Sequence, residues 1–492
     1  MPTDPILRAF ARLSHDAPRA ALVVSRTRRA DRGAVADLAR GVAGRIEAFE
    51  AAGALPANRP IAFAAANGIG FLAGFLALRS LSRPALLLDS GTPEAERLRI
   101  ARRLGAVAIL ECPCSWPTSP EGFALRAVAA ADEEEAGDES GEGTGFSDPE
   151  VYPDLAVIKV TSGSTGAPRG IATPSEALIA DDEQLGRSMG LLPDDAFVAT
   201  VPMTHSYGLS SLAMPALLRG QVLVLPEGDS PVEPLAAAED CGATIFPTVP
   251  AYLDALLRTS HPPAWPQTLR LALTAGAPLP RATAVRFRET FGQPVHVFYG
   301  ASESGGICFD REGGAGERGT VGTPVDGVSL RLLDSDENGA GVVAVTSPAV
   351  ALGYLPESDE RLAGGTYRTS DFACFRDGEM VLLGRVDDLV NIKGKKVNPR
   401  EVERVLGELL GVHEVAVLGV PRAACGGEVL RAVIACGDGA LSTDQVLAWC
   451  RPRLAAHKVP RSVVLVRTLP RTDRGKLDRA ALLDLARRVQ PV

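Results

Sequence analysis

Val157-Ile-Lys-Val-Thr-Ser-Gly-Ser-Thr-Gly-Ala-Pro-Arg-Gly170 sets a hydroxyl- and glycine-rich loop directly behind a β-branched run. The run reads as a buried strand and the loop as a phosphate cradle. Gly163, Gly166 and Gly170 let the backbone turn its N–H groups toward an anion, Thr161, Ser162, Ser164 and Thr165 add hydroxyl donors, and Arg169 adds fixed positive charge. The guest such a loop predicts is a nucleotide triphosphate. It is not a Walker A loop, because Pro168 stands five residues after Gly163 and no Gly-Lys-Ser/Thr follows.

Downstream, Thr173 is the expected N-cap of a helix, with Pro174 at its first position and Glu176 completing a capping box. The loop is therefore expected between a strand and a helix, at a sheet edge open to ligands. From residue 20 to about 385, apolar runs of strand length alternate with amphipathic helical patterns. Buried strands are predicted at Val198–Val201, Val222–Leu225, Thr244–Phe246, Leu269–Thr274 and Val295–Tyr299. The fold class is α/β: a large N-terminal domain of mainly parallel sheets layered with helices, over 1–384, and a small mobile α+β C-terminal domain over 385–492. In the latter, Asn398-Pro-Arg-Glu401 is expected to cap a helix, Val415–Val420 and Val429–Ala435 to be strands, and Ser442–Ala456 to be a helix.

With 51 Lys+Arg against 60 Asp+Glu in 492 residues the net charge is −9, and Asp132–Glu150 alone holds nine acids and no base. That tract, within 131–150, reads as a flexible acidic surface loop. The rest is balanced, which argues against a nucleic-acid partner, although Arg451–Arg479 is locally basic. Eight cysteines without paired spacing, and a start Met-Pro-Thr-Asp-Pro that is unlike a signal peptide, predict a cytoplasmic protein. Pro60–Leu78 is uncharged but broken by Asn67 and glycines, so it is expected to be a strand, Ile61–Ala66, and a helix, Phe71–Leu81, rather than a membrane span.

Several further segments stand in order: Pro202-Met-Thr-His-Ser-Tyr-Gly-Leu209, Ala275-Gly-Ala-Pro278, Tyr299-Gly-Ala-Ser-Glu303, Tyr367-Arg-Thr-Ser-Asp371, Gly384-Arg-Val-Asp387, Lys393-Gly-Lys-Lys-Val-Asn-Pro399 and Pro470-Arg-Thr-Asp-Arg-Gly-Lys-Leu-Asp478. Singly, each has a plainer reading: Lys476 as a surface lysine, Glu303 as a strand-terminal turn, Asp371 as a loop or cap residue, His205 as a core histidine. Gly300-Ala-Ser-Glu-Ser304 also falls one residue short of the Gly-x-Ser-x-Gly elbow of hydrolases. Together, over residues 155 to 480, they resemble the AMP-forming adenylating superfamily of acyl-CoA synthetases, adenylation domains and beetle luciferases. The pattern is most similar to acyl- or aryl-CoA ligases.

The resemblance implies ATP and Mg²⁺ as cofactors, a carboxylic acid as substrate, and coenzyme A or carrier-bound phosphopantetheine as acceptor. It implies that Lys476 reaches the α-phosphate and the carboxylate, that Glu303 holds Mg²⁺, and that Ser302 donates to the α-phosphate. Tyr299, with Gly300 and Ala301 and with Gly276, Ala277 and Pro278, would frame adenine. Asp371 would take the ribose hydroxyls with help from Arg385. His205, Ser206 and Tyr207, with Gly276 and Gly300, would line the acyl pocket. The His205 segment offers no carboxylate for a substrate ammonium, so an uncharged fatty or aryl acid is expected. Asp387 matches the hinge, and Lys393 and Gly394 the thiol tunnel. The chain departs from the common pattern at Ser164, Arg169 and Ser302, where Thr, Lys and Thr are usual. Loading of a carrier protein is the alternative to free CoA, and an inactive nucleotide-binding homologue the more distant one.

Overall fold

The computed structural model describes residues 4–53, 55–56, 58–128, 155–162, 168–386, 390–392, 395–397, 399–421, 428–437, 441–471 and 477–488. The chain splits into two compact units. The first comprises Met1–Leu330, Ala344–Arg368 and Asp377–Met380, and the second Arg331–Val343, Thr369–Arg376 and Val381–Val492.

Two large sheets build the first unit, one of nine strands and one of seven. In the nine-stranded sheet Ala21–Val24, Val222–Val224, Ala196–Val198, Ile245–Thr248, Leu271–Thr274 and His296–Ala301 run parallel to their neighbours in that order. In the other, Leu155–Ser162, Ala85–Leu88, Ile61–Ala65 and Ala108–Cys112 form the parallel centre. Their sequences are continuous apolar runs because both faces are covered: every residue of Ile61–Ala65 and Ala85–Leu88 is buried.

Helix Ile69–Ser80 lies where the Pro60–Leu78 stretch predicts it, and among the described residues no helix is long and apolar enough to cross a membrane. It sits tight on its sheet. Phe63 and Phe71 have ring centroids 5.4 Å apart, and a Cβ on Gly74 would come within 2.6 Å of the Phe63 ring. Burying each such phenylalanine contributes about 2–3 kcal/mol, and that contact requires a residue with no side chain at 74.

Two local expectations are corrected. The first strand of the hydroxyl- and glycine-rich region is followed by another strand and not by a helix: Leu155–Ser162 pairs antiparallel with Pro168–Pro174, so that Thr161 faces Arg169 and Ser162 faces Pro168. Thr173 is accordingly not an N-cap. It is buried in that strand, and helix Ser175–Ser188 begins after Pro174 with no side-chain cap bond. Packing decides this: Ile171 and Ala172 are fully buried, and a Cβ on Gly170 would lie 2.6 Å from Ile158. Burial of that stretch outweighs a cap of about 1 kcal/mol. The second correction is the strand predicted at Val198–Val201, which runs at Ala196–Val198. Beyond it, the carbonyls of Ala199 and Val201 accept from Asn67 Nδ2 at 3.2 and 2.8 Å instead of from a neighbouring strand.

In the second unit, Val412–Pro421, Glu428–Cys436 and Ser462–Val466 form a three-stranded sheet, antiparallel then parallel. Its residues alternate faces with period 2. Val417, Ala432 and Ile434 pack with Val402, Leu406 and Val446 of helices Pro399–Gly407 and Thr443–Cys450, while Leu418, Val433 and Ala435 pack with Leu482 and Ala486 of helix Arg479–Arg488. A capping box does occur here: Ser442 Oγ accepts from the Gln445 N–H, and the Ser442 N–H donates to Gln445 Oε1. The acidic tract 131–150 and Asn398 lie outside the described residues.

Candidate active site

Parallel strands place their C-terminal ends on one edge of a sheet, and three motif segments leave the nine-stranded sheet there. Ala275-Gly-Ala-Pro278 follows Leu271–Thr274, with Gly276 at φ 82° and residues 276–278 exposed. Tyr299-Gly-Ala301 closes His296–Ala301, and Ser302 and Glu303 form the turn into antiparallel strand Gly305–Phe309. The His205 segment follows Ala196–Val198. Ser206 and Ser302 meet directly, Ser206 Oγ donating to Ser302 Oγ at 2.7 Å.

The His205 segment is held from the other sheet. Asn67, just past Ile61–Ala65, uses both ends of its amide: besides the two carbonyls above, its Oδ1 accepts from the Met203 N–H at 2.8 Å. His205 is half exposed, and its Nε2 lies 3.2 Å from Oδ2 of Asp89, the residue after Ala85–Leu88. The structure thus supplies from a distant strand the carboxylate that the segment itself lacks, already engaged by the histidine. Tyr207 turns inward, its hydroxyl accepting from the Thr248 N–H at 3.2 Å and its ring 5.9 Å from that of Phe298. Burial raises its phenol far above the ordinary range.

Beneath the Ser302–Glu303 turn lies a buried polar cluster. Asp181, on helix Ser175–Ser188, accepts from Ser210 Oγ at 2.5 Å and from the Gly306 N–H at 2.8 Å. Gly305 is at φ 70°, and a Cβ there would lie 2.3 Å from Asp181 Oδ1. Lys159, in strand Leu155–Ser162, is buried and interacts electrostatically with both Asp181 and Glu303. Burial pulls the lysine below its ordinary value and pushes Asp181 above its own, with their mutual attraction opposing both shifts. Glu303 is buried too, and its Oε1 accepts from the Tyr354 hydroxyl at 2.8 Å.

Arg169 faces the strand beside its own. Its guanidinium carbon is 4.0 Å from the centre of the Tyr354 ring, Nη1 is 3.1 Å from Asp359 Oδ2, and Nη2 donates to the Glu357 carbonyl at 3.2 Å. Arg361 also grips Asp359, and hydrogen bonds from Arg361 and then Arg169 hold that carboxyl far below the usual range. Thr161 is half-buried at the end of the first limb. Gly163, Ser164, Thr165 and Gly166 lie outside the described residues, as do Lys476, Asp387, Lys393 and Gly394.

In the second unit, Asp371 lies in strand Thr366–Arg376, where its N–H donates to Thr369 Oγ1 at 2.9 Å; Arg385 is exposed at the end of Glu379–Arg385. Asp89, Lys159, Asp181 and Tyr354 escaped the sequence reading, and Asn67 entered it only as a break between a strand and a helix. Lys159 alone left a signal, a single charge inside an apolar strand; the others matter through contacts made across the fold.

Among the described residues no group of three or more His, Cys, Asp and Glu side chains forms a metal cage. One buried carboxylate, Glu303, at the turn fits Mg²⁺, which binds through one or two carboxylates together with substrate phosphates and water.

Comparison with known proteins gives a consistent picture. The AMP-binding enzyme profile matches residues 11–355 and the AMP-binding enzyme C-terminal domain profile residues 401–476. A feruloyl-CoA synthase from Amycolatopsis sp is 30% identical over 463 residues, covering 90% of this chain and 91% of its own length. An oxalate–CoA ligase from Arabidopsis thaliana is 30% identical over 342 residues, covering 66% of each chain. In fold, the o-succinylbenzoate CoA synthetase of Bacillus subtilis, solved with its acyl-adenylate intermediate, aligns with TM-score 0.78 at 22% identity over 96% of this chain and 97% of its own. ATP-bound MatB from Rhodopseudomonas palustris aligns with TM-score 0.77 at 24% identity, over 97% and 98%.

Proposed function

The chain belongs to the AMP-binding enzyme family, and on that premise we propose that it is an ATP-dependent, AMP-forming acid–thiol ligase that joins a fatty or aryl carboxylic acid to coenzyme A. The observation that carries this reading is the meeting of Ser206 and Ser302 at the C-terminal edge of the parallel strands, beside the buried Glu303. An acid-binding segment and a phosphate-binding turn then share one locus. Relatives that make CoA thioesters of ferulate and oxalate support the thiol as acceptor.

The reaction runs in two displacements. The substrate carboxylate attacks the α-phosphorus of ATP and pyrophosphate leaves; the thiol sulfur then attacks the acyl carbon and AMP leaves. Positioning and charge stabilisation carry most of the first step. Glu303 would hold Mg²⁺, which would supply positive charge to the phosphate oxygens. Ser302 donates to the α-phosphate, and Ser206 holds the Ser302 hydroxyl in place. The stretch Thr161–Gly166 offers N–H and hydroxyl donors to the triphosphate, Tyr299 and Gly276–Pro278 frame the base, and Asp371 with Arg385 takes the ribose. His205, oriented by Asp89, guards the approach of the carboxylate. Lys476 serves adenylation; Asp387, Lys393 and Gly394 serve thioester formation.

A screen of fatty and aryl acids for ATP–pyrophosphate exchange tests the first half-reaction, and free CoA tests the second. In single-turnover assays Lys476→Ala should abolish adenylate formation yet spare thioester formation from supplied acyl-adenylate. Equal loss of both would refute this division of roles.

A further inference from the structure

Glu303 can serve a metal only if its carboxylate points away from the cation buried behind it. Lys159 attracts Glu303 inward, since the two interact across a dry interior. Against that pull stands Tyr354, whose hydroxyl donates to Glu303 Oε1 at 2.8 Å. Tyr354 is itself fixed. It is 5% exposed, it lies in strand Gly353–Leu355 in register with Ile171 of the nucleotide hairpin, and its ring is covered by the Arg169 guanidinium at 4.0 Å. Two residues before that strand, the Ala351 N–H donates to the Glu303 carbonyl at 2.8 Å, so the same segment holds the backbone and the side chain of Glu303.

We propose that Tyr354 is a positioning residue that clamps one oxygen of Glu303, presents the other to the metal–triphosphate, and through Arg169 ties that carboxylate to the second limb of the nucleotide hairpin. The inference rests on the reading of Glu303 as the Mg²⁺ ligand and adds the residue that orients it. A carboxyl group bonded to a phenol keeps its plane; without the phenol it would be free to turn toward Lys159.

Tyr354→Phe removes the hydroxyl and keeps the ring under Arg169. Calorimetric titration of wild type and this variant with α,β-methylene-ATP, once with Mg²⁺ and once with EDTA, isolates the metal-dependent part of binding from turnover. The expected result is a loss of roughly tenfold in affinity with Mg²⁺ and an unchanged affinity in EDTA, matching one hydrogen bond to a charged group. Mn²⁺ in place of Mg²⁺, followed by electron paramagnetic resonance, should show the same weakening of the ternary complex. Equal affinities of variant and wild type with Mg²⁺ would overturn the proposal, as would an equal loss in both conditions, which marks Tyr354 as a mere wall of the pocket. A wild type whose nucleotide affinity ignores Mg²⁺ altogether would instead sink the assignment of Glu303, and the proposal with it.

Discussion

Ser206 Oγ donates to Ser302 Oγ at 2.7 Å, joining the segment that follows one parallel strand to the turn that follows another. Their hydroxyls form one unit, so removing either should cost much of what removing both costs. Ser206→Ala, Ser302→Ala and the double variant should give a coupling of about 1 kcal/mol in kcat/KM for the acid, roughly a fivefold departure from additivity. Additive losses in steady-state kinetics would mean that the two hydroxyls act separately.

Gly305→Ala should destabilise the first unit by more than about 2 kcal/mol, because it combines a left-handed backbone at φ 70° with a Cβ placed 2.3 Å from Asp181 Oδ1. Urea unfolding measures this. The same substitution displaces the Ser302–Glu303 turn, so the surviving folded fraction should also need more Mg²⁺ for pyrophosphate exchange. A variant with the wild-type urea midpoint contradicts the packing argument.

Lys159→Met should leave Asp181 as an uncompensated buried charge and lower stability by about 3 kcal/mol. Adding Asp181→Asn should recover part of the loss, since Asn can still accept from the Gly306 N–H that Asp181 holds. Thermal unfolding of Lys159→Met, Asp181→Asn and the double variant decides the matter: a double variant as unstable as the sum of its parts removes the ionic link.

Asp359 predicts a pH signature. Arg361 and Arg169 hold its folded carboxyl well below the ordinary 3.8, so its contribution is present above that value and is lost as pH falls through the folded one. Asp359→Asn should therefore cost about 1 kcal/mol at pH 7, nearly as much at pH 3.5 and less at about pH 2, as read from urea midpoints at the three values. A cost that stays constant with pH would show that the carboxylate charge contributes nothing.

Much of the architecture could be read from linear pattern. The apolar runs at Ile61–Ala65 and Leu271–Thr274 announce doubly covered parallel strands, and Ser442 with Gln445 is a cap that local geometry alone satisfies. Thr173 shows the limit of such reading. Its Thr-Pro-x-Glu pattern fits a helix start, yet burial of Ile171 and Ala172 draws the stretch into a strand, because tertiary packing outweighs a cap of about 1 kcal/mol.

Linear pattern carries most of the alternation of strands and helices, the hydroxyl- and glycine-rich stretch, and the residue types of the motif segments, since periodicity and turn chemistry act between near neighbours; it misses the strand Pro168–Pro174. Packing across the fold sets Asp89 against His205, lets Asn67 splint the chain before it, and brings Tyr354 to Glu303 while Lys159 and Asp181 lie buried nearby. Those contacts join residues far apart in the chain, and the hydrogen bonds and charges involved gain their strength from the water-free interior that the closed fold creates.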